Sequence, residues 1–181
     1  MNTEEVVRQT RQTFFAYRNG VVADSLKKAG DPHTFVMGCQ LADIISLAAS
    51  LQQSPELAEA FWADRNHREC RLIAPMLYPV GQLDSSTALR WAKDCRTTEE
   101  ADVLCHRLLR KSQDAKAIVN SLTDSKALLE RYVSFRLMLN IVDSQDAATK
   151  SAWKSTVDKQ IPEAQGALKT LLCQLQEAFQ E

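Results

Sequence analysis

Apolar residues in this sequence return at helical spacing from one end to the other, and no run of alternating β-branched residues asks for a strand. Gln40 to Leu51 places Leu41, Ile44, Ile45 and Ala48 on one face. The stretch after Thr97 does the same with Ala101, Leu104, Cys105 and Leu108. The C-terminal segment follows with Leu168, Leu171, Leu172, Leu175 and Phe179. With 5 Gly and 5 Pro in 181 residues, breaks are few. About ten or eleven helices, joined by short turns, account for the pattern.

The breaks carry recognisable signals. Helices are expected over 4–17 and 20–29, the second stopping at Gly30-Asp31-Pro32. A loop over 32–38 ends at Gly38, which can take a conformation that a Cβ would forbid. Ser54 caps a helix that Pro55 opens and that ends near Asp64. The segment 67–78 contains Pro75, which should kink or shorten it. Asp84 or Ser85 caps a helix through Trp91 to Cys95, and Thr97-x-x-Glu100 is a capping box. Helices follow over 113–121, 124–143 and 146–159, and Pro162 is expected to start the last. Helix pairs recur every 30–40 residues or so, with an aromatic near the middle of each (Trp62, Trp91, Tyr132). That spacing suits an all-α solenoid of HEAT-like helical repeats, with a compact orthogonal bundle as the structural alternative. The whole of 1–181 is expected to form one helical-repeat domain.

A chain that is 45% hydrophobic and 25% charged can bury a core without disulfide or metal. Its opening, MNTEEVVRQTRQTFFAYR, is charged and acidic where a signal peptide would be basic and then apolar. No stretch reaches the roughly 20 apolar residues that span a bilayer. The expectation is a soluble, cytoplasmic protein with no membrane partner. Cys39, Cys70, Cys95, Cys105 and Cys173 form no CxxC and are expected as small buried hydrophobes. The histidines His33, His67 and His106 stand alone in sequence. Nucleotide cradles, zinc proteolysis and serine hydrolysis find no motif here, so no metal or cofactor is expected.

Net charge is −1, but it is unevenly spread. Residues 61–120 hold 10 basic side chains against 8 acidic, and seven of the ten are Arg. This permits a phosphate-facing surface without demanding one. Arg68, Arg71, Arg107, Arg110 and Lys111 read by default as members of a charged face. Trp62, Trp91 and Tyr132 read as core anchors before base-stacking platforms.

Two residues break the helical rules. Asp102 sits just off an apolar stripe, with Glu99, Thr98 and His106 at helical spacing around it. It is either a first-turn acid loosely paired with His106 or a functional carboxylate. Arg136 is the one charge in YVSFRLMLNIV, a segment apolar nearly all round. A buried guanidinium needs a partner. That partner is either an acid on a neighbouring helix or an external anion such as phosphate.

Four segments in order resemble the AlkD-like DNA alkylation repair family. They are RNGVVADSLKKAG followed by VMGCQL, LAEAFWADRNHRECRLIAPML, RWAKDCRTTEEADVLCHRLL and RYVSFRLMLNIV. The resemblance covers about 15–142, while about 145–181 carries no pattern that matches. It implies an α–α superhelix of HEAT-like repeats with a concave basic face for double-stranded DNA. It also implies an alkylpurine DNA glycosylase that hydrolyses the N-glycosidic bond of cationic alkylated purines without metal or cofactor. In that chemistry a fixed carboxylate stabilises the developing oxocarbenium ion. Aromatic faces hold the cationic sugar.

Carried over, Asp102 falls on the catalytic carboxylate. Arg136, with Arg68, Arg71, Arg107, Arg110 and Lys111, supplies candidate DNA contacts, and Trp91, Tyr132 and Trp62 are the aromatic candidates. The sequence departs from the family at Thr98, where the enzymes carry an aromatic. It departs again at Tyr132, in place of Trp, and at Phe135, where the family's Arg would fall one position before Arg136. These departures leave a non-catalytic module open as the alternative, binding a protein partner or DNA.

Overall fold

A computed structural model describes residues 2–180. Among them are eleven α-helices and no strand, and the single backbone bridge joins Phe35 to His67. No helix is long and apolar enough to cross a membrane. The chain divides into two compact units, residues 1–84 and 85–181.

The first unit holds α1 (Thr3–Ala16), α2 (Gly20–Lys28), α3 (Leu41–Ala49), α4 (Pro55–Trp62) and α5 (Arg68–Leu77). Helix starts follow local chemistry. Asn2, Asn19 and Ser54 each accept a hydrogen bond from the backbone N–H three residues on, at 2.8, 3.2 and 3.1 Å. Helix α5 is the axis of the unit, packed by α3 and α4. Nearly all of its side chains are buried, Arg68, Glu69 and Arg71 among them. Pro75 lies inside α5, which stops two residues later at Leu77.

A buried carboxylate fixes the loop that precedes α3. Glu69 accepts from the backbone N–H groups of Met37, Gly38 and Cys39 at 3.2, 2.9 and 3.3 Å. The Arg68 guanidinium donates to the same carboxylate at 2.9 Å and to the Cys39 carbonyl at 3.3 Å. Gly38 sits at φ +73° with no room for a side chain: a Cβ would lie 2.3 Å from the Asn19 carbonyl oxygen and 2.7 Å from the Ala23 nitrogen. Only glycine permits this approach of loop to helix.

The second unit holds α6 (Ser85–Lys93), α7 (Thr98–Arg107), α8 (Ala115–Leu122), α9 (Leu128–Ile141), α10 (Ala147–Gln160) and α11 (Gly166–Ala178). Its axis is α9, against which α6, α7, α8 and α11 all pack. That environment explains why α9 is apolar nearly all round. The Thr97 hydroxyl accepts from Glu100 N–H at 3.1 Å, as a capping box requires, and the Glu100 carboxylate reaches back to Arg96 N–H at 2.8 Å. Pro162 does not start the last helix. It lies in a 3-10 turn, Ile161–Glu163, and α11 begins at Gly166, at φ +54°. The helix cannot begin sooner because Ala164 and Gln165 are extended.

Substituting Gly38 by Ala should cost at least about 3 kcal/mol, since strain at positive φ adds to a backbone clash. Glu69→Ala should cost about 3–5 kcal/mol, because it removes the carboxylate that Arg68 donates to and the acceptor of three backbone N–H groups, two of them buried. Both are measurable by urea denaturation.

Candidate functional site

In the second unit α7 and α9 lie side by side and bring three of the expected residues together. Tyr132 and Arg136 are one turn apart on α9, so both side chains face α7. Arg136 Nε donates to Asp102 Oδ1 at 2.6 Å, and the Tyr132 hydroxyl donates to the same oxygen at 3.0 Å. The Asp102 side chain keeps 35% of its surface exposed and that of Arg136 27%. Asp102 turns toward α9 and makes no hydrogen bond to His106. A charge on a central helix is better served by a full ion pair than an exposed histidine is by a loose one.

The electrostatics follow from that geometry. Hydrogen bonding to Asp102 holds the Arg136 guanidinium above its ordinary range. Burial, reinforced by the Asp102 charge, pushes the Tyr132 hydroxyl up and keeps it a donor. Burial also pushes the Cys105 thiol up. Cys105 lies in the core and donates to the Val133 carbonyl at 3.6 Å. It is a packing residue.

Cations gather at the end of α7. Arg107 closes that helix, and Arg110 and Lys111 lie in the 3-10 turn that follows. Arg110 and Lys111 are exposed, and none of the three is engaged in an ion pair. His106 sits among them. Partial burial, with Arg110, Arg107, Arg136 and Lys111 nearby, holds its pKa below the ordinary value. The sequence offers His106 as a solitary histidine and as a loose partner for Asp102; the cations around it at 107, 110 and 111 are the signal for its surroundings.

The other candidates lie elsewhere. Arg68 and Arg71 belong to the first unit and are 4% and 0% exposed, so the charged-face expectation fails for both. Arg71 lies over the Trp62 ring at 3.5 Å and donates to the Trp62 carbonyl at 2.5 Å. Its helix is covered on several sides, and the guanidinium is held by an aromatic face and a carbonyl inside the core. Trp62 and Trp91, at 2% and 0% exposure, offer no face to solvent. Thr98, half-buried, is the first residue of α7.

One group among the described residues has donors suited to a metal ion: Asp64, His67 and Cys70, with ligand atoms within 4.8 Å of one another. Those donors are already engaged. Arg11 donates to Asp64, His67 Nδ1 lies 2.9 Å from the same carboxylate, and burial pushes the Cys70 thiol up, away from thiolate. The arrangement is an ion-pair network closing α1 onto the end of α4. The cysteine expectation holds for Cys39, Cys70, Cys95 and Cys105, but Cys173 is exposed on α11.

Comparison with known proteins places this geometry in context. A family model described as DNA alkylation repair enzyme matches residues 10–164. A solved structure described as a new family of proteins related to the HEAT-like repeat DNA glycosylases, with affinity for branched DNA structures, superposes with a TM-score of 0.82. The two share 15% identity over 93% of this chain and 73% of that one. The fold is therefore all-α and of the HEAT-like repeat class, and not an orthogonal bundle. No curated protein matches the chain.

An NMR titration of the three histidines tests the electrostatics. His106 should titrate below the ordinary histidine value, and Arg110→Ala should move it upward. The sign follows from the shift: a histidine whose folded pKa is lowered takes up fewer protons folded than unfolded, so it costs stability as pH falls below the unfolded value near 6.5.

Proposed function

Because the chain belongs to the DNA alkylation repair enzyme family, we propose that it binds DNA through the α7–α9 face of its second unit. The carrying observation is the trio Arg107, Arg110 and Lys111, without ion-pair partners, around His106 on and just after the helix that carries Asp102, whose side chain is one-third exposed. Three phosphates contacted there give a salt slope of about −3 on a log–log plot. The ligand class is duplex DNA, including distorted or branched forms. A near-neutral chain makes the binding modest and strongly salt-sensitive.

Excision is the finer part of the proposal. Asp102 would stabilise the oxocarbenium ion that forms as a cationic N3- or N7-alkylated purine departs. Its position favours this, since two donors hold one carboxylate oxygen still. Its pairing works the other way, because Arg136 offsets the negative charge at that same oxygen. Thr98 gives no aromatic face for the sugar, and Trp91 is buried and cannot replace it. A second reading, recognition of DNA shape without cleavage, is supported by these three features.

Base release from methylated duplex DNA, read by mass spectrometry beside Asp102→Asn, separates the two. Release of 3-methyladenine or 7-methylguanine that the variant loses supports the glycosylase. Salt-sensitive binding without release leaves shape recognition. Lys111→Ala should weaken binding uniformly across sequences and reduce the salt slope by about 1. Affinity should also rise as pH falls from 7.5 to 5.5, since phosphate offsets the cations that repel a proton from His106. His106→Gln should flatten that dependence in a fluorescence anisotropy titration.

A further inference from the structure

The second unit carries another cavity, away from Asp102, of about 290 Å³. Asp124, Arg131, Lys159, Gln160, Glu163, Ala164 and Leu168 line it, from the loop before α9, α9 itself, the end of α10, the 3-10 turn and α11. Its volume lies near the lower limit of small-ligand sites, roughly 300–1,000 Å³, and fits a one- or two-ring group.

Two polar atoms in its wall are buried without a hydrogen-bond partner: Arg131 Nε and Gln160 Oε1. The Gln160 amide is oriented by its nitrogen, which donates to the Thr123 carbonyl at 3.0 Å and reaches Asp124 Oδ1 at 3.5 Å. The amide oxygen therefore faces away from that anchor. Four charges of both signs, Asp124, Arg131, Lys159 and Glu163, border the same space, and none is paired with another. Buried donors and acceptors rarely go unmatched in a protein interior. Here an unmatched donor and an unmatched acceptor share one cavity.

We propose that this cavity holds an unpaired guanine or cytosine base. The Arg131 fork offers two adjacent donors and can accept none. Guanine presents O6 beside N7 as two acceptors, the pairing an Arg fork favours, and carries its N1–H and 2-amino donors on the adjoining edge beyond O6. Cytosine presents O2 and N3 beside its amino group. In either base the acceptor pair meets Arg131, and the N–H groups meet Gln160 Oε1 and the carboxylates of Asp124 and Glu163. Adenine brings an N–H donor next to its acceptor, against the guanidinium. Thymine sets a donor between its two carbonyls. Ala164 and Leu168 supply an apolar floor for the ring. The proposal draws on the DNA reading only for the source of the base; the cavity's chemistry is independent of Asp102.

Calorimetric titration with the four deoxynucleosides, which carry no phosphate, tests it. Deoxyguanosine and deoxycytidine should bind at least tenfold more tightly than deoxyadenosine and thymidine. Arg131→Gln and Gln160→Leu should each abolish the preference while the circular dichroism spectrum stays helical. Equal binding of all four, no binding of any, or a preference that survives Arg131→Gln would overturn it. An oligothymidine with one central guanine distinguishes the sources: tighter binding than the free nucleoside assigns the base to DNA, and weaker binding assigns it to a free base or nucleoside. Because salt-sensitive duplex binding is measured at Lys111, failure at the cavity leaves the proposed function standing.

Discussion

A helix packed on several sides can keep a charge only where another group answers it. Both units are built around such a helix, and both meet the requirement. In the first, Glu69 on α5 is 0% exposed and is neutralised by Arg68 and three backbone N–H groups. In the second, Arg136 on α9 is met by Asp102. Burying either charge alone would cost several kcal/mol. The helices around each axis are held in place by apolar contact, but the polar pair fixes one loop or one neighbour in register.

The two solutions differ in what they leave over. Glu69 is consumed by its contacts and sits sealed in the core, so its role ends with structure. Asp102 keeps a third of its side chain exposed, on a helix whose C-terminal end and following turn carry cations with no ion-pair partner among the described residues. The same requirement therefore produces a structural anchor in one unit and a chemically available carboxylate in the other. Arg136 is both the reason the carboxylate is fixed and the reason its charge is partly offset.

Much of the fold was legible because helix ends are written locally. Asn2, Asn19, Ser54 and Thr97 cap as their side chains dictate, and Gly38 takes the positive φ that the loop before α3 needs. The start of the last helix is not where Pro162 suggests, since Pro162 suits a 3-10 turn as well as a helix start. Side-chain direction was less legible. Arg68 and Arg71 have the sequence of a charged face, yet α5 is covered on several sides, and periodicity does not say how many sides are covered. For Arg136 the sequence showed that a partner was required but not which one. The choice of Asp102 depends on α7 and α9 lying side by side, a fact held by no single segment. The Arg131 and Gln160 cavity lies partly in the C-terminal stretch that the family resemblance does not reach.

The Glu69 contact also says something about the order of assembly. Its carboxylate closes on Gly38, 31 residues earlier in the chain, while Gly38 closes in turn on Asn19. Helices form from neighbours within microseconds, but a loop that long must close before its contacts contribute. Helices α1 to α5 can therefore appear early and still lack a fixed arrangement. The first unit locks only when the loop, the start of α2 and α5 arrive together. A chain shortened past Asn19 would lose α1 outright, and its remaining helices would lack the step that makes them cooperative.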